Sequence, residues 1–226
     1  ADKQYHHVYG TTNSRNWEFG WNEVDGTQGY ACRGIQFYST GGSNQYGLSI
    51  HDNYIHDIVC NGINFATVNP AAGKVEAYNN LLINVGKGPH PGGGESNYAC
   101  VLSSGRSYQG NCGGGTGTVE LYNNLCYNYG TADVNSADSG GWALDTCSNF
   151  TTRLRNNITY ALSSSQDYMA PGFGTAGLSG SNNLWYGAGN GPSQTTGNIN
   201  ANPLFISTST PDFHLQSSSP AIGAGT

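Results

Sequence analysis

The sequence predicts an all-β solenoid of parallel coils. Three observations carry that reading: six segments in which apolar and polar residues alternate up to a closing asparagine, a near-constant spacing between those asparagines, and no convincing amphipathic helix between the strands. The segments are WEFGWN (Trp17 to Asn22), LSIHDN (Leu48 to Asn53), VEAYNN (Val75 to Asn80), VELYNN (Val119 to Asn124), TRLRNN (Thr152 to Asn157) and LSGSNN (Leu178 to Asn183). Their last asparagines lie 31, 27, 44, 33 and 26 residues apart, as expected of a solenoid in which some turns carry loops. Asn22, Asn53, Asn80, Asn124, Asn157 and Asn183 are therefore predicted to stack as a ladder. A β-sandwich also uses short strands of period two. The repeated asparagine favours coils, because an amide about 4.8 Å from its counterpart satisfies donors and acceptors at a bend.

In each segment the first and third positions should face the interior: Trp17 and Phe19, Leu48 and Ile50, Val75 and Ala77, Val119 and Leu121, Thr152 and Leu154, Leu178 and Gly180. The alternate residues, among them Glu18, His51, Glu76, Tyr78, Glu120, Tyr122, Arg153 and Arg155, should form an outer face. A second short strand follows several repeats, at Gly34 to Phe37, Gly62 to Phe65, Tyr98 to Val101 and Gly141 to Leu144. Two excursions interrupt the period, residues 87–118 and 130–145, and the closing coil is expected at 198–226, all within a single domain spanning 1–226.

With 34 Gly, 15 Tyr and only 8 Lys plus Arg, the surface is turn-rich and built from uncharged polar and aromatic groups. The formal charge of −6 disfavours nucleic acid and anionic membranes as partners, and no apolar run is long enough to insert in a bilayer. Six cysteines without CxxC spacing read as disulfides of an exported, extracellular or cell-surface protein rather than as a zinc site. Cys32 and Cys60 occupy matching positions of consecutive coils, two residues before the glycine of the second strand, and are expected to bridge rung to rung. Cys100 with Cys112 would staple the first excursion, and Cys126 with Cys147 would join two strands of one coil; six cysteines leave other connectivities open. Of two sequons, the one at Asn157 falls on the expected ladder and makes a poor acceptor.

The Asn79-Asn80-Leu81 and Asp52-Asn53-Tyr54 turns, with Asn202-Pro203-Leu204-Phe205, Asp212-Phe213-His214-Leu215 and Ser219-Pro220-Ala221-Ile222-Gly223, resemble the right-handed parallel β-helix proteins of the pectate-lyase-like superfamily. The resemblance runs from about Trp17 to Thr226. It implies a right-handed parallel β-helix and action on, or binding of, polysaccharides. Enzymes of that group pair acidic calcium ligands with a basic residue that removes the sugar C5 proton, and no such motif can be laid down residue by residue here. The first repeat begins after only 16 residues, so a fragment, or a subunit without an N-terminal cap whose end another chain covers, is the expectation. End-to-end self-association is its corollary.

Several groups suit chemistry. Glu76 and Glu120 fall at one outward position on consecutive coils, about 5 Å apart, where paired carboxylates share a proton or hold calcium; a hydrated pair on a solenoid face is the plainer alternative. His51, His56 and Asp57 share one coil, and a histidine there suits proton abstraction from a uronic acid, although residues 51 and 56 lie on opposite sides of a bend. Asp133, Asp138 and Asp145 offer oxygen ligands suited to Ca²⁺, and His90 and Glu95 join them if the excursions cover one face. Tyr78, Tyr122, Tyr127, Trp142 and Trp21 offer ring faces for sugars. No nucleophile elbow, phosphate loop, zinc-peptidase helix or dinucleotide fingerprint is present. The reading is an exported polysaccharide-active protein, a lyase or glycoside hydrolase. A noncatalytic carbohydrate-binding module and a structural subunit of an extracellular assembly are the alternatives, with ice binding a minor fourth that lacks a Thr-x-Thr column.

Overall fold

In the computed structural model the described residues are 2–27, 31–42, 44–88, 98–105, 116–130, 139–144, 149–210 and 212–226. Strand β1 (Asp2–Gly10) precedes four three-strand coils. The first coil is β2 (Arg15–Gly20), β3 (Glu23–Asp25) and β4 (Ala31–Phe37), and the second β5 (Tyr46–His51), β6 (Tyr54–His56) and β7 (Ile63–Phe65). The third is β8 (Val75–Tyr78), β9 (Leu81–Ile83) and β10 (Tyr98–Ser103), and the fourth β11 (Gly117–Tyr122), β12 (Leu125–Tyr127) and β13 (Ser139–Leu144). Strands β14 (Phe150–Arg155) and β15 (Ile158–Tyr160), then β16 (Leu178–Ser181) and β17 (Leu184–Tyr186), continue the winding to β18 (Ile199–Asn200). An antiparallel hairpin of β19 (Phe205–Ser207) and β20 (Asp212–Leu215) follows.

Every third strand pairs in parallel, so the coils build three sheets and the fold is a right-handed parallel β-helix. Sheet 1 has the order β2-β5-β8-β11-β14-β16, sheet 2 β3-β6-β9-β12-β15-β17-β18, and sheet 3 β1-β4-β7-β10-β13. The predicted inner column falls into register: Trp17 pairs with Leu48, Leu48 with Val75, Val119 with Thr152 and Thr152 with Leu178. Leu48, Ile50, Val75, Ala77, Val119, Leu121, Thr152 and Leu154 are buried, but Trp17, on the edge strand, is 40% exposed. The sheet 3 column of Ile35, Ile63, Val101 and Trp142 meets the first, with Val24, Ile55, Leu82, Cys126 and Trp185 of sheet 2 closing the triangle.

The ladder forms at the corner between sheets 1 and 2. From Asn53 to Asn183 each asparagine accepts on Oδ1 from the backbone N–H and Nδ2 of its predecessor, the first being Asn22, at 3.0–3.3 Å. Its own Nδ2 also donates to a backbone carbonyl of the previous coil, as Asn80 does to Ile50 and Asn124 to Ala77. Asn53, Asn80, Asn124, Asn157 and Asn183 are buried; their polar atoms are tolerated there because they are paired. The residue before each rung takes the left-handed conformation (Trp21, Asp52, Asn79, Asn123, Asn156, Asn182), which asparagine and aspartate adopt at the lowest cost.

The expected second strands fall inside the two excursions, β10 within 87–118 and β13 within 130–145. One expectation is corrected. The sulfurs join Cys32 to Cys60 as expected, but Cys100 pairs with Cys126 rather than with Cys112, and Cys126 not with Cys147. Cys100 of sheet 3 and Cys126 of sheet 2, one coil on, are both fully buried, and the narrow coil brings their Cα atoms to 6.0 Å, within disulfide reach. Cys112 and Cys147 lie outside the described residues.

Outward residues of sheet 2 are apolar where a solvent face would be polar: Tyr54, Leu81, Leu125, Ile158 and Leu184 in one column, Ile83, Tyr127 and Tyr160 in the next. The hairpin covers most of them, and Leu81 stays 38% exposed. Phe205, Phe213 and Leu215 form a second core with Ile83, Leu125, Tyr127 and Tyr160, outside the coil.

Candidate functional site

Two copies of one side-chain arrangement lie where the first coils meet, one at the ladder corner that ends sheet 1 and one at the far end of sheet 2. On sheet 1, His51 Nε2 lies 3.2 Å from Glu18 Oε1 and Nδ1 2.8 Å from Asp52 Oδ2, while Asn79 Nδ2 donates to the other Asp52 oxygen at 3.2 Å. On sheet 2, His56 Nε2 lies 3.1 Å from Glu23 Oε1 and Nδ1 2.7 Å from Asp57 Oδ2, while Asn84 Nδ2 donates to Asp57 Oδ1 at 3.0 Å. All four residues are displaced by five positions between the copies. In each, the histidine ends a strand, the aspartate takes the left-handed turn, and stacking supplies the glutamate from one coil and the asparagine from the other.

The surroundings differ. Gly20 pairs with His51, and a Cβ there would stand 2.5 Å from the imidazole, so only glycine leaves room for the ring. His51 is 3% exposed, held between Trp21 in a T-shaped contact at 4.7 Å and Tyr78 stacked at 4.8 Å. Tyr122 stacks next at 4.9 Å, and the Arg155 guanidinium closes the row 5.2 Å from the Tyr122 ring. Glu18 and Trp21 are largely open to solvent, at 68% and 74%. Proton exchange with a bound molecule would therefore pass through the exposed Glu18 carboxylate, with His51 and Asp52 behind it.

The sheet 2 copy has Asp25 where the sheet 1 copy has Gly20. Burial works against a charged His56, but hydrogen bonds to Asp57 and Glu23 and the charges of Asp57 and Asp25 outweigh it and raise its pKa above the usual histidine value. The Tyr54 ring stacks on His56 at 4.2 Å; its own pKa is raised by burial and then by Asp57, Glu23 and Asp25.

Glu76 and Glu120 do pair in register, but each carries its own cation. Glu76, 5% exposed, takes Lys74 at 2.9 Å, Ser49 at 3.2 Å and the Tyr122 hydroxyl at 3.3 Å. Glu120 takes Arg153 at 2.9 Å and Arg155 at 3.5 Å. The two are members of a charge lattice on the sheet face. Trp142 lies in the core with Nε1 on Thr159 Oγ1, and Tyr127 lies under the hairpin against Phe213. Tyr78 and Tyr122 spend their ring faces on each other and present their edges, which leaves Trp21 as the open ring of the predicted set. His51 and His56 do not converge; each keeps its own aspartate. Asp133, Asp138 and Asp145, with His90 and Glu95, lie outside the described residues.

Glu18, Asp52, Glu23 and Asp25 were not singled out for chemistry in the sequence. The signal was there in the doubled His-Asp at 51–52 and 56–57 and the matching glutamates at 18 and 23, but it becomes legible only once the strands are in register. A second amide column was equally missed: Asp57, Asn84 and Asn128 stack at the far end of sheet 2, with the Lys87 ammonium on Asn128 Oδ1 at 3.0 Å. In comparisons with family models, curated proteins and solved structures, none matches this chain.

Proposed function

We propose that the protein is an exported polysaccharide-active β-helix protein whose glycan lies along the outer face of sheet 1. The observation that carries this reading is the row His51, Tyr78, Tyr122 and Arg155, one residue per coil, ending beside the exposed Glu18 and Trp21. Its ring spacings of 4.8 and 4.9 Å are comparable with the length of one hexose unit, so the coil repeat of this face matches the repeat of a linear polymer. Trp21 offers an apolar face to a pyranose, and Arg153 and Arg155 suit uronate carboxylates. The two disulfides among the described residues fit an oxidising compartment, and the resemblance to secreted pectate-lyase-like proteins points the same way.

In this reading Glu18 is the proton-handling group of a lyase or hydrolase. His51 donates to it from Nε2, Asp52 holds the opposite ring nitrogen, and a proton passes in either direction along the three. The neutralised Glu76 and Glu120 favour a second reading, a noncatalytic glycan-binding module, because neither offers a free acid or base.

Incubation with a panel of neutral and uronic-acid polysaccharides separates the two, with new reducing ends and the ultraviolet absorbance of unsaturated ends as readouts. New chain ends, reduced about 100-fold or more in Glu18→Gln, support the enzyme. Saturable binding without product, weakened in Trp21→Ala, selects the module, and neither signal removes the sheet 1 face from consideration.

A further inference from the structure

We propose that Asp25, His56 and Asp57 form a binding site for a divalent transition-metal ion, with Zn²⁺ as the type, that ties the first coil to the second. Asp25 ends β3, His56 ends β6 in direct register with it, and Asp57 follows. One ligand atom from each lies within 4.8 Å of the other two. His56 Nδ1 is 2.7 Å from Asp57 Oδ2 and 3.9 Å from Asp25 Oδ1. Two ligand atoms on a tetrahedral Zn²⁺ at about 2.1 Å stand about 3.4 Å apart, between those two values, so opening the His56–Asp57 pair by about 0.7 Å and closing the wider pairs by at most about 1.4 Å brings all three into contact with one ion.

What surrounds these atoms is the environment of a ligating histidine. Glu23 Oε1 takes Nε2 at 3.1 Å, which holds a ring proton there, so that Nδ1, once its own proton is displaced, turns its lone pair toward the two aspartates. Asn84 holds the other Asp57 oxygen, and the Thr27 hydroxyl holds Asp25 Oδ2 at 2.9 Å. Tyr54 lies flat on the imidazole, and His7 Nε2 reaches the Asp25 carbonyl at 2.9 Å. Asp25 and Asp57 are 44% and 38% exposed, leaving positions on the ion for water or an incoming ligand. One imidazole nitrogen with two carboxylates suits Zn²⁺, Co²⁺ or Mn²⁺ better than Ca²⁺, which takes oxygen.

The molecule contains its own control. The sheet 1 copy repeats the glutamate, histidine, aspartate and asparagine but has Gly20 in place of Asp25, so beside Nδ1 it offers one carboxylate where the sheet 2 copy offers two. The third ligand is the feature that separates the copies. Metal entry displaces the proton shared by His56 Nδ1 and Asp57 and releases it to solvent.

The test is calorimetric titration of the full chain with zinc chloride, alongside Asp25→Asn and Asp52→Asn. Asparagine at 25 keeps the turn, because its Oδ1 still accepts the Thr27 N–H, so the variant removes charge without removing the fold; circular dichroism of the metal-free proteins checks this. The expected result is one equivalent of Zn²⁺ in the wild type and in Asp52→Asn, tenfold or more weaker in Asp25→Asn, with the His56 ring signals and not those of His51 moving in nitrogen-15 spectra. No uptake, uptake that Asp25→Asn leaves in place, equal weakening in both variants, or movement of His51 instead overturns the assignment.

Discussion

The imidazole of His51 lies flat on the Tyr78 ring, centroids 4.8 Å apart and planes 6° from parallel, although 27 residues separate them. Coil stacking places them there: β5 and β8 pair in parallel, with His51 directly opposite Tyr78. Tyr122 extends the row in the same register, and this fixes its hydroxyl within reach of Glu76. A property of the sheet, the coil repeat, thus sets the electrostatics of individual side chains on its outer face.

Tyr122 is expected to hold its proton far into the alkaline range. Burial, the Glu76 carboxylate and the hydrogen bond to it push its pKa from 10.0 to about 12 against the opposing pull of Arg155. Because the folded value is raised, this group's contribution to stability is complete below pH 10.0, declines above it and is gone once the pH has passed about 12. Tyrosinate absorbance, recorded as the difference between wild type and Tyr122→Phe, should show a component with its midpoint near 12. A midpoint near 10 would remove the assigned contact with Glu76.

The ladder should be far more sensitive at its centre than at its start. Asn124 is 2% exposed, donates to Ala77 O and Asn157 Oδ1, and accepts from Asn80. Alanine there strands several buried polar groups, and roughly 3 kcal/mol of stability is expected to go. Asn22 is exposed, and Asn22→Ala keeps the backbone N–H bond to Asn53, so about 0.5–1 kcal/mol is expected. Urea midpoints of the two variants measure the difference; equal shifts would mean that the rungs are not cooperative in the way their hydrogen bonds imply.

The ladder and the sheet 1 core were legible in the sequence because both depend on period two and on an asparagine whose repeat survives the insertions. The disulfide between Cys100 and Cys126 was not, since it crosses the interior between sheets, and spacing along the chain carries no information about which inward residues face one another. The two closing strands were expected near Phe205 and Phe213, but that they form a hairpin over sheet 2 was missed for a different reason. Tyr54, Leu81, Leu125, Ile158 and Leu184, each just after a ladder asparagine, are apolar at outward positions, so sheet 2 is apolar on both faces, the mark of a covered sheet. That pattern stood in the sequence but was read only as part of the turn. The two histidine clusters needed register before their glutamates could be assigned.

The cross-interior disulfide should be both detectable and stabilising. A nonreduced digest is expected to yield a peptide pair joining Cys100 to Cys126 and another joining Cys32 to Cys60. Chain-entropy arguments give about 3.5 kcal/mol for closing the 26-residue separation. Replacing Cys100 and Cys126 together by alanine should therefore lower the denaturation midpoint substantially, and a Cys100 to Cys112 peptide in the digest would overturn the pairing.

The hairpin is held to the coil by aromatic contacts rather than by sheet pairing, and that makes Phe213 its most informative residue. Its ring packs 5.1 Å from Tyr127 and 5.3 Å from Phe205, and it lines a cleft with Tyr54 and Leu81. Full burial of a phenylalanine is worth about 3–5 kcal/mol against alanine, and Phe213 is half-buried, so Phe213→Ala is expected to cost about 2 kcal/mol. The apolar column of sheet 2 would then be incompletely covered, and such a surface binds apolar dyes and favours association. Dye fluorescence and sedimentation of the folded variant, read beside its denaturation midpoint, test this. A lower midpoint with increased dye binding is the signature of a lost cover, whereas an unchanged midpoint without dye binding would show that sheet 2 does not need the hairpin.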